Sequence, residues 1–142
     1  MLGLLVVTHG RLADELVHAV GMVVGEVEAL EAVSLSWTDD VDEVRRRIQE
    51  ALAKVDRGRG VLVLTDMFGG TPTNEALSLH EQGKVEIVTG VNMPMLIKFA
   101  NLREELDLPQ AAERIAAQGR EAIQVASQLL GAPGGVDDDA KS

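Results

Sequence analysis

Val61-Leu62-Val63-Leu64-Thr65 runs directly into Asp66-Met67-Phe68-Gly69-Gly70-Thr71-Pro72, and the change of character at Asp66 decides the fold. Five residues without polar alternation read as a strand buried on both faces. Two glycines then permit a tight turn. Thr71-Pro72 reads as an N-cap followed by proline at the first helical position, which predicts a helix from there to about Glu81. A buried strand delivered through a glycine turn into a helix is half of a βαβ unit, and the same pattern recurs on either side.

Upstream, Leu2–Val7 is a second fully apolar run, stopping at Thr8-His9-Gly10. From Arg11 the period becomes helical, with a stripe of Leu12, Leu16, Val20 and Val23 and the acids Asp14 and Glu15 where a helix dipole favours them. Gly25 is the expected stop. Ala29–Trp37 is a weaker strand in which Val33 and Leu35 alternate with serines. Asp39 or Asp40 then caps a helix through Val55, carried by Val44, Ile48, Leu52 and Val55. Downstream, Lys84–Thr89 reads as a strand, Gly90–Met93 as a loop, and Pro94 to about Glu104 as a helix. Pro109–Gln118 is helical in period. Glu121–Leu130 fits two states, since Ile123 and Val125 alternate in a composition that also suits a helix. The expectation is an α/β domain, a parallel doubly wound sheet with helices on both faces.

The 142 residues suffice for one domain, expected over 1–130, with 131–142 as a flexible acidic tail. There is no cysteine, which excludes disulfides, thiolate nucleophiles and zinc–thiolate sites. The aromatics are Trp37, Phe68 and Phe99 alone, so the core is aliphatic and base-stacking platforms are not expected. A net charge of −10 repels phosphate backbones and anionic membranes, and suits a basic protein partner. No apolar run reaches the roughly 18 residues of a membrane helix, and Met1–Val7 lacks a basic leader. The expectation is a cytoplasmic protein that binds no nucleic acid and is not inserted in a membrane.

In an open parallel sheet the functional crevice lies beyond the carboxyl ends of the strands. The loops there are Thr8–Arg11, Asp66–Thr71 and Gly90–Pro94. If the first and third strands are neighbours, His9 and Asp66 meet at that edge. A carboxylate accepting the imidazole Nδ1–H leaves the Nε2 lone pair outward, as a nucleophile or a general base requires. The pair alone does not choose between them. Gly69 and Gly70 bring backbone amides to a helix N-terminus, which favours an anion such as phosphate, and Thr71 adds a hydroxyl. Together these features point to a phosphoryl group held on histidine.

The remaining candidates are weaker. Arg57 and Arg59 fall at the opposite edge, His18 and His80 read as surface residues, and Arg45-Arg46-Arg47 spreads around a helix. No GxxxxGK[ST] or HExxH motif is present, so no nucleotide or metal cofactor is expected.

The chain resembles the IIA components of the mannose-type sugar phosphotransferase system. The resemblance rests on Val7-Thr8-His9-Gly10, on Leu64-Thr65-Asp66-Met67-Phe68-Gly69-Gly70-Thr71-Pro72-Thr73-Asn74-Glu75-Ala76, and on Thr89-Gly90-Val91-Asn92-Met93-Pro94-Met95. It extends over about Leu2 to Leu130. It implies phosphorylation of His9 at Nε2 by the phosphocarrier HPr and donation to a IIB component. Asp66 would orient His9, while Gly69, Gly70 and Thr71 would receive the phosphoryl oxygens. Gly10, Phe68, Asn92 and Met93 would border the site. It also implies a three-layer sandwich and a homodimer exchanging an antiparallel edge strand, for which Glu121–Ala126 is the candidate. Alternatives within the resemblance are a regulatory IIA protein whose phosphorylation reports carbon status, and the phosphotransferase subunit of a dihydroxyacetone kinase.

Overall fold

The computed structural model describes residues 1–36, 38–67, 69–81 and 83–131. Its strands are β1 (Gly3–His9), β2 (Leu30–Leu35), β3 (Val61–Thr65) and β4 (Val85–Thr89). Its helices are α1 (Leu12–Val24), α2 (Val41–Val55), α3 (Gly70–Leu77), α4 (Met93–Leu102), α5 (Leu108–Glu121) and α6 (Ala126–Gly131). The four strands form one parallel sheet in the order β2-β1-β3-β4. None of the helices among the described residues is long and apolar enough to cross a membrane.

Strand alternation sorts the aliphatic side chains into two cores. Leu2, Leu4, Val6, Leu62 and Leu64 pack against Ala13 and Val20 of α1, Phe99 of α4 and Ile115 of α5. On the other face, Leu5, Val7, Val61 and Val63 meet Val44, Ile48 and Val55 of α2 and Ala76 of α3. Burial on both sides is why β1 and β3 read as unbroken apolar runs. The expected three-layer α/β sandwich is the observed one.

Several local expectations are corrected. The buried face of α1 is Ala13, Leu16, Val17 and Val20, whereas Leu12 and Val23 are 44% and 62% exposed. Leu16 and Val20 of the predicted stripe thus face the core, and a hydrogen bond from the Ala13 N–H to a side chain of β1 holds Ala13 beside them in place of Leu12. β1 extends through His9, two residues beyond the predicted end. Helix α3 starts at Gly70 and ends at Leu77 instead of running from a Thr71 cap to Glu81. Its N-cap is Gly69 at φ 89° and ψ 167°, a conformation essentially reserved to glycine. Its end is set by Ser78, whose hydroxyl donates to the Glu75 carbonyl at 2.6 Å.

Glu121–Ala126 is not a strand within the single chain. Glu121 closes α5, residues 123–125 are irregular and Ala126 opens α6. An extended segment has no ladder to complete its backbone hydrogen bonds without a neighbouring strand. The predicted tail falls outside the described residues, except for Gly131, which closes α6.

One buried cation escapes the sequence reading. Arg103 is 4% exposed and lies at the amino edge of the sheet, its guanidinium 5.3 Å above the Phe99 ring. It donates to the carbonyls of Leu2 (2.6 and 2.9 Å), Ala29 (2.9 Å) and Glu28. Burial pushes its pKa down, while Glu104 opposes the shift. Arg103→Ala removes the donor to the Leu2 and Glu28 carbonyls, while the Ala29 carbonyl keeps the Leu4 N–H at 3.0 Å. The expected loss is about 3 kcal/mol of unfolding free energy by urea titration.

Candidate functional site

The parallel register places Val7 opposite Thr65, so the chain leaves β1 and β3 side by side at the carboxyl edge. From there β1 connects toward β2 and β3 toward β4, in opposite directions. The crevice between β1 and β3 is therefore the topological switch point, where open α/β sheets accept ligands. His9 and Asp66 stand on its two sides.

Asp66 Oδ2 lies 3.0 Å from His9 Nδ1 and 3.1 Å from the His9 backbone nitrogen, which donates to it. Oδ1 lies 3.3 Å from the same ring nitrogen and accepts the Met67 N–H at 3.1 Å. An ionised carboxylate can only accept, so this contact assigns the proton of the neutral ring to Nδ1. Nε2 is left as the lone-pair nitrogen. The Asp66 side chain is 16% exposed and that of His9 40%, so the carboxylate is sheltered while the imidazole faces solvent. Ring and backbone of one residue are thus held by one carboxylate.

Around the pair, the expected border residues separate into two groups. Gly10 has φ 59°, and its N–H donates to the Leu35 carbonyl at 2.7 Å, turning the chain immediately after His9. Gly69 and Gly70, at φ 89° and 80°, carry the chain from Asp66 into α3, whose N-cap makes no side-chain capping bond. Phe68 and the Thr71 side chain lie outside the described residues. Asn92 does not join the pair through any described contact. Its side chain caps α4 by accepting the Met95 N–H at 3.2 Å and donates to the Gly119 carbonyl of α5, also at 3.2 Å. It lines a cavity of about 370 Å³ between β4 and α5, with Met95 and Arg120. Met93 packs against the core beneath α4. The loop itself is tied to the site through the backbone, because Gly90 and Val91 both donate to the Thr65 carbonyl, at 2.9 and 3.0 Å.

The residues set aside in the sequence stay away from the crevice. Arg59 donates to the carbonyls of Glu104 and Leu106, and Arg57 to that of Lys54. His18 sits beside Glu15, and His80 beside Glu86. The three arginines of α2 diverge. Arg46 pairs with Glu43 and Glu50, and Arg47 with Asp39. Arg45 reaches Glu75 of α3 at 3.1 Å, tying that helix to α2. No sequence spacing announces this last pair, since its members are thirty positions apart. Among the described residues no three His, Asp or Glu side chains are grouped to hold a metal.

The family model EIIA-man, described as PTS system fructose IIA component, matches residues 3–116. The PTS system fructose-specific EIIA component of Bacillus subtilis (strain 168) is 31% identical over 131 residues, covering 92% of this chain and 90% of its own length. The PTS system mannose-specific EIIAB component of Escherichia coli (strain K12) is 31% identical over 121 residues. There the match covers 82% of this chain but 37% of that longer protein. Among solved structures, the PTS IIA protein associated with the fucose utilization operon from Streptococcus pneumoniae superposes with a TM-score of 0.77 at 30% identity, covering 91% of this chain and 96% of that one.

The geometry makes a spectroscopic prediction. Nitrogen-15 shifts of a labelled sample near pH 8 should show His9 predominantly as the Nδ1–H tautomer. Asp66→Ala should return it toward the Nε2–H form favoured by free imidazole. An unchanged tautomer in that variant would mean that Asp66 does not set it.

Proposed function

The chain belongs to the EIIA-man family of sugar phosphotransferase system IIA components, and from that premise we propose that it is a phosphoryl carrier working through His9. It accepts the group from phospho-HPr and passes it to a IIB component. The observation that carries this reading is the 3.0 Å contact between His9 Nδ1 and Asp66, which leaves Nε2 as the exposed lone-pair nitrogen. In the forward step Nε2 attacks phosphorus in line. The new N–P bond forms as the donor's N–P bond breaks, and that electron pair returns to the donor nitrogen. Asp66 keeps its charge throughout and balances the positive charge that develops on the phosphorylated ring. Gly69, Gly70 and Thr71 receive the phosphoryl oxygens at the start of α3, where helix amides and dipole favour an anion. Gly10 and Phe68 border the group, and Asn92 and Met93 act through the loop they anchor.

Both donor and acceptor are reactive phosphorus–nitrogen bonds, so alignment and charge stabilisation suffice. The reading needs neither metal nor nucleotide. The negative net charge of the chain suits donors with a basic face, and the role belongs in the cytoplasm.

A homodimer is part of the same proposal. β4 pairs with β3 alone among the described strands; on its other side Glu81 bridges Val85, and no described strand lies there beside Ile87 to Thr89. Ile123 and Val125 stand 79% and 58% exposed just after α5. Open edges and exposed alternating apolar residues seek a partner strand, and the 121–126 segment of a second copy provides one.

Incubation with phosphoenolpyruvate, enzyme I and HPr should add one acid-labile phosphoryl group by intact mass. His9→Ala should abolish the adduct while keeping the native circular dichroism. Full incorporation by His9→Ala, or none by the parent chain beside phosphorylated HPr, would refute the carrier reading. Light scattering after size exclusion should give twice the chain mass, and Ile123→Asp should shift it toward the monomer. A monomeric parent chain would refute the dimer alone.

A further inference from the structure

Thr8 is fully buried and immediately precedes His9, and its hydroxyl has no counterpart in the chemistry described so far. Its Oγ1 accepts the Ala13 N–H at 2.7 Å. That bond replaces a missing one. The residue at the formal N-cap of α1 is Arg11, at φ −96° and ψ 11°, and it makes no side-chain capping bond. The first turn of α1 is therefore capped from within β1, across the turn that contains His9 and Gly10. Gly10, in the left-handed region, is the most permissive point of that turn. Its N–H bond to the Leu35 carbonyl restrains it on the β2 side, and the His9 N–H bond to Asp66 restrains the turn on the β3 side. The Thr8 hydroxyl closes the third side by fixing the helix that leaves the turn.

We propose that Thr8 is a positioning residue for His9, its buried hydroxyl locking the β1–α1 turn so that the imidazole meets Asp66 and the incoming phosphorus in one orientation. The inference rests on the reading of His9 as the phosphoryl acceptor. Strand alternation directs the two neighbouring side chains to opposite faces, Thr8 with Leu4 and Val6 and His9 with Leu5 and Val7. Thr8 touches neither donor nor phosphoryl group and acts entirely through backbone geometry. Replacing it by valine preserves shape and leaves the Ala13 N–H without its acceptor. With the helix start released, Gly10 can change its torsions and the ring leaves its alignment.

Burial gives the test its discriminating power, because a residue hidden from the donor cannot alter donor recognition. Phosphorylation by phospho-HPr is followed by rapid quench over a range of donor concentrations for the parent chain, Thr8→Val and Thr8→Ser. Thr8→Ala is run alongside in case the valine form does not fold. The expected result is a saturating rate lowered about 10- to 100-fold in Thr8→Val or Thr8→Ala. The half-saturating donor concentration should stay unchanged, and Thr8→Ser should recover most of the rate. The His9 nitrogen-15 spectrum should show a mixed tautomer in Thr8→Val or Thr8→Ala and the parent tautomer in Thr8→Ser. A folded Thr8→Val or Thr8→Ala with the parent rate and tautomer would overturn the proposal, leaving Thr8 as a cap for the helix alone. So would a serine form as slow as the valine form, or a change confined to half-saturation. If the parent chain takes no phosphoryl group, the acceptor reading fails by itself, and the tautomer comparison still decides whether Thr8 positions the ring.

Discussion

The arrangement turns on the Asp66 carboxylate, which accepts at once from the ring and the backbone of His9 and from the N–H of Met67. A carboxylate satisfied by one donor can swing, whereas one held by three around a strand end is fixed. Asp66 therefore joins β3 to the end of β1 and orients a side chain in the same contact. The requirement propagates backward into the fold. The two strands must be adjacent, parallel and in register at Val7 and Thr65, or the carboxylate would miss the ring.

That register is kept by features distant from the crevice. The two central strands contribute aliphatic side chains to both cores, so a slip of one residue would exchange the two faces along their whole length. At the opposite edge, Arg103 holds the carbonyls of Leu2, Glu28 and Ala29, pinning the entry to β1 and β2 beneath α4. Ala29 adopts φ 51°, unusual for alanine, and its carbonyl is one of those that Arg103 holds. The amino edge is locked by a buried cation and the carboxyl edge by a sheltered anion, with a rigid hydrocarbon layer between them.

Much of this was legible in the sequence where the signal is periodic or local. β3 was bounded to the residue because an unbroken apolar run ends at a charged one, and the pairing of His9 with Asp66 followed once both were placed at strand ends. What was hidden depends on contacts in space. The start of α3 is set by the backbone angles of Gly69, which a capping rule centred on Thr71 cannot see. The burial of Ala13 at the start of α1 goes with a bond to the Thr8 hydroxyl, which lies outside the helix it caps. Arg103 and the Arg45–Glu75 pair look like ordinary surface charges until the chain is folded. Glu121–Leu130 fits two states in the sequence because Ile123 and Val125 alternate within a helix-compatible composition, and in the single chain the alternating residues are irregular while Ala126 opens α6.

The proposed carrier role sets a limit on how strongly the site should bind a phosphoryl group. A carrier must receive a phosphoryl group and release it again, so binding the phosphorylated form too strongly would raise the barrier to the second transfer. A guanidinium fixed over the phosphoryl oxygens would do so. The arginine beside His9 is instead turned to solvent, where Arg11 is drawn to Glu15 at 3.7 Å. The helix start proposed to receive the group is entered through two glycines, and such a terminus stabilises an anion by only about 0.3–1 kcal/mol when exposed. If His9 carries the group as proposed, such a site favours the transition state by orientation while leaving the phosphorylated ring nearly as reactive as the donor. On this account the weakness of the anion cradle and the rigidity of the His9–Asp66 pair are complementary requirements of reversible transfer.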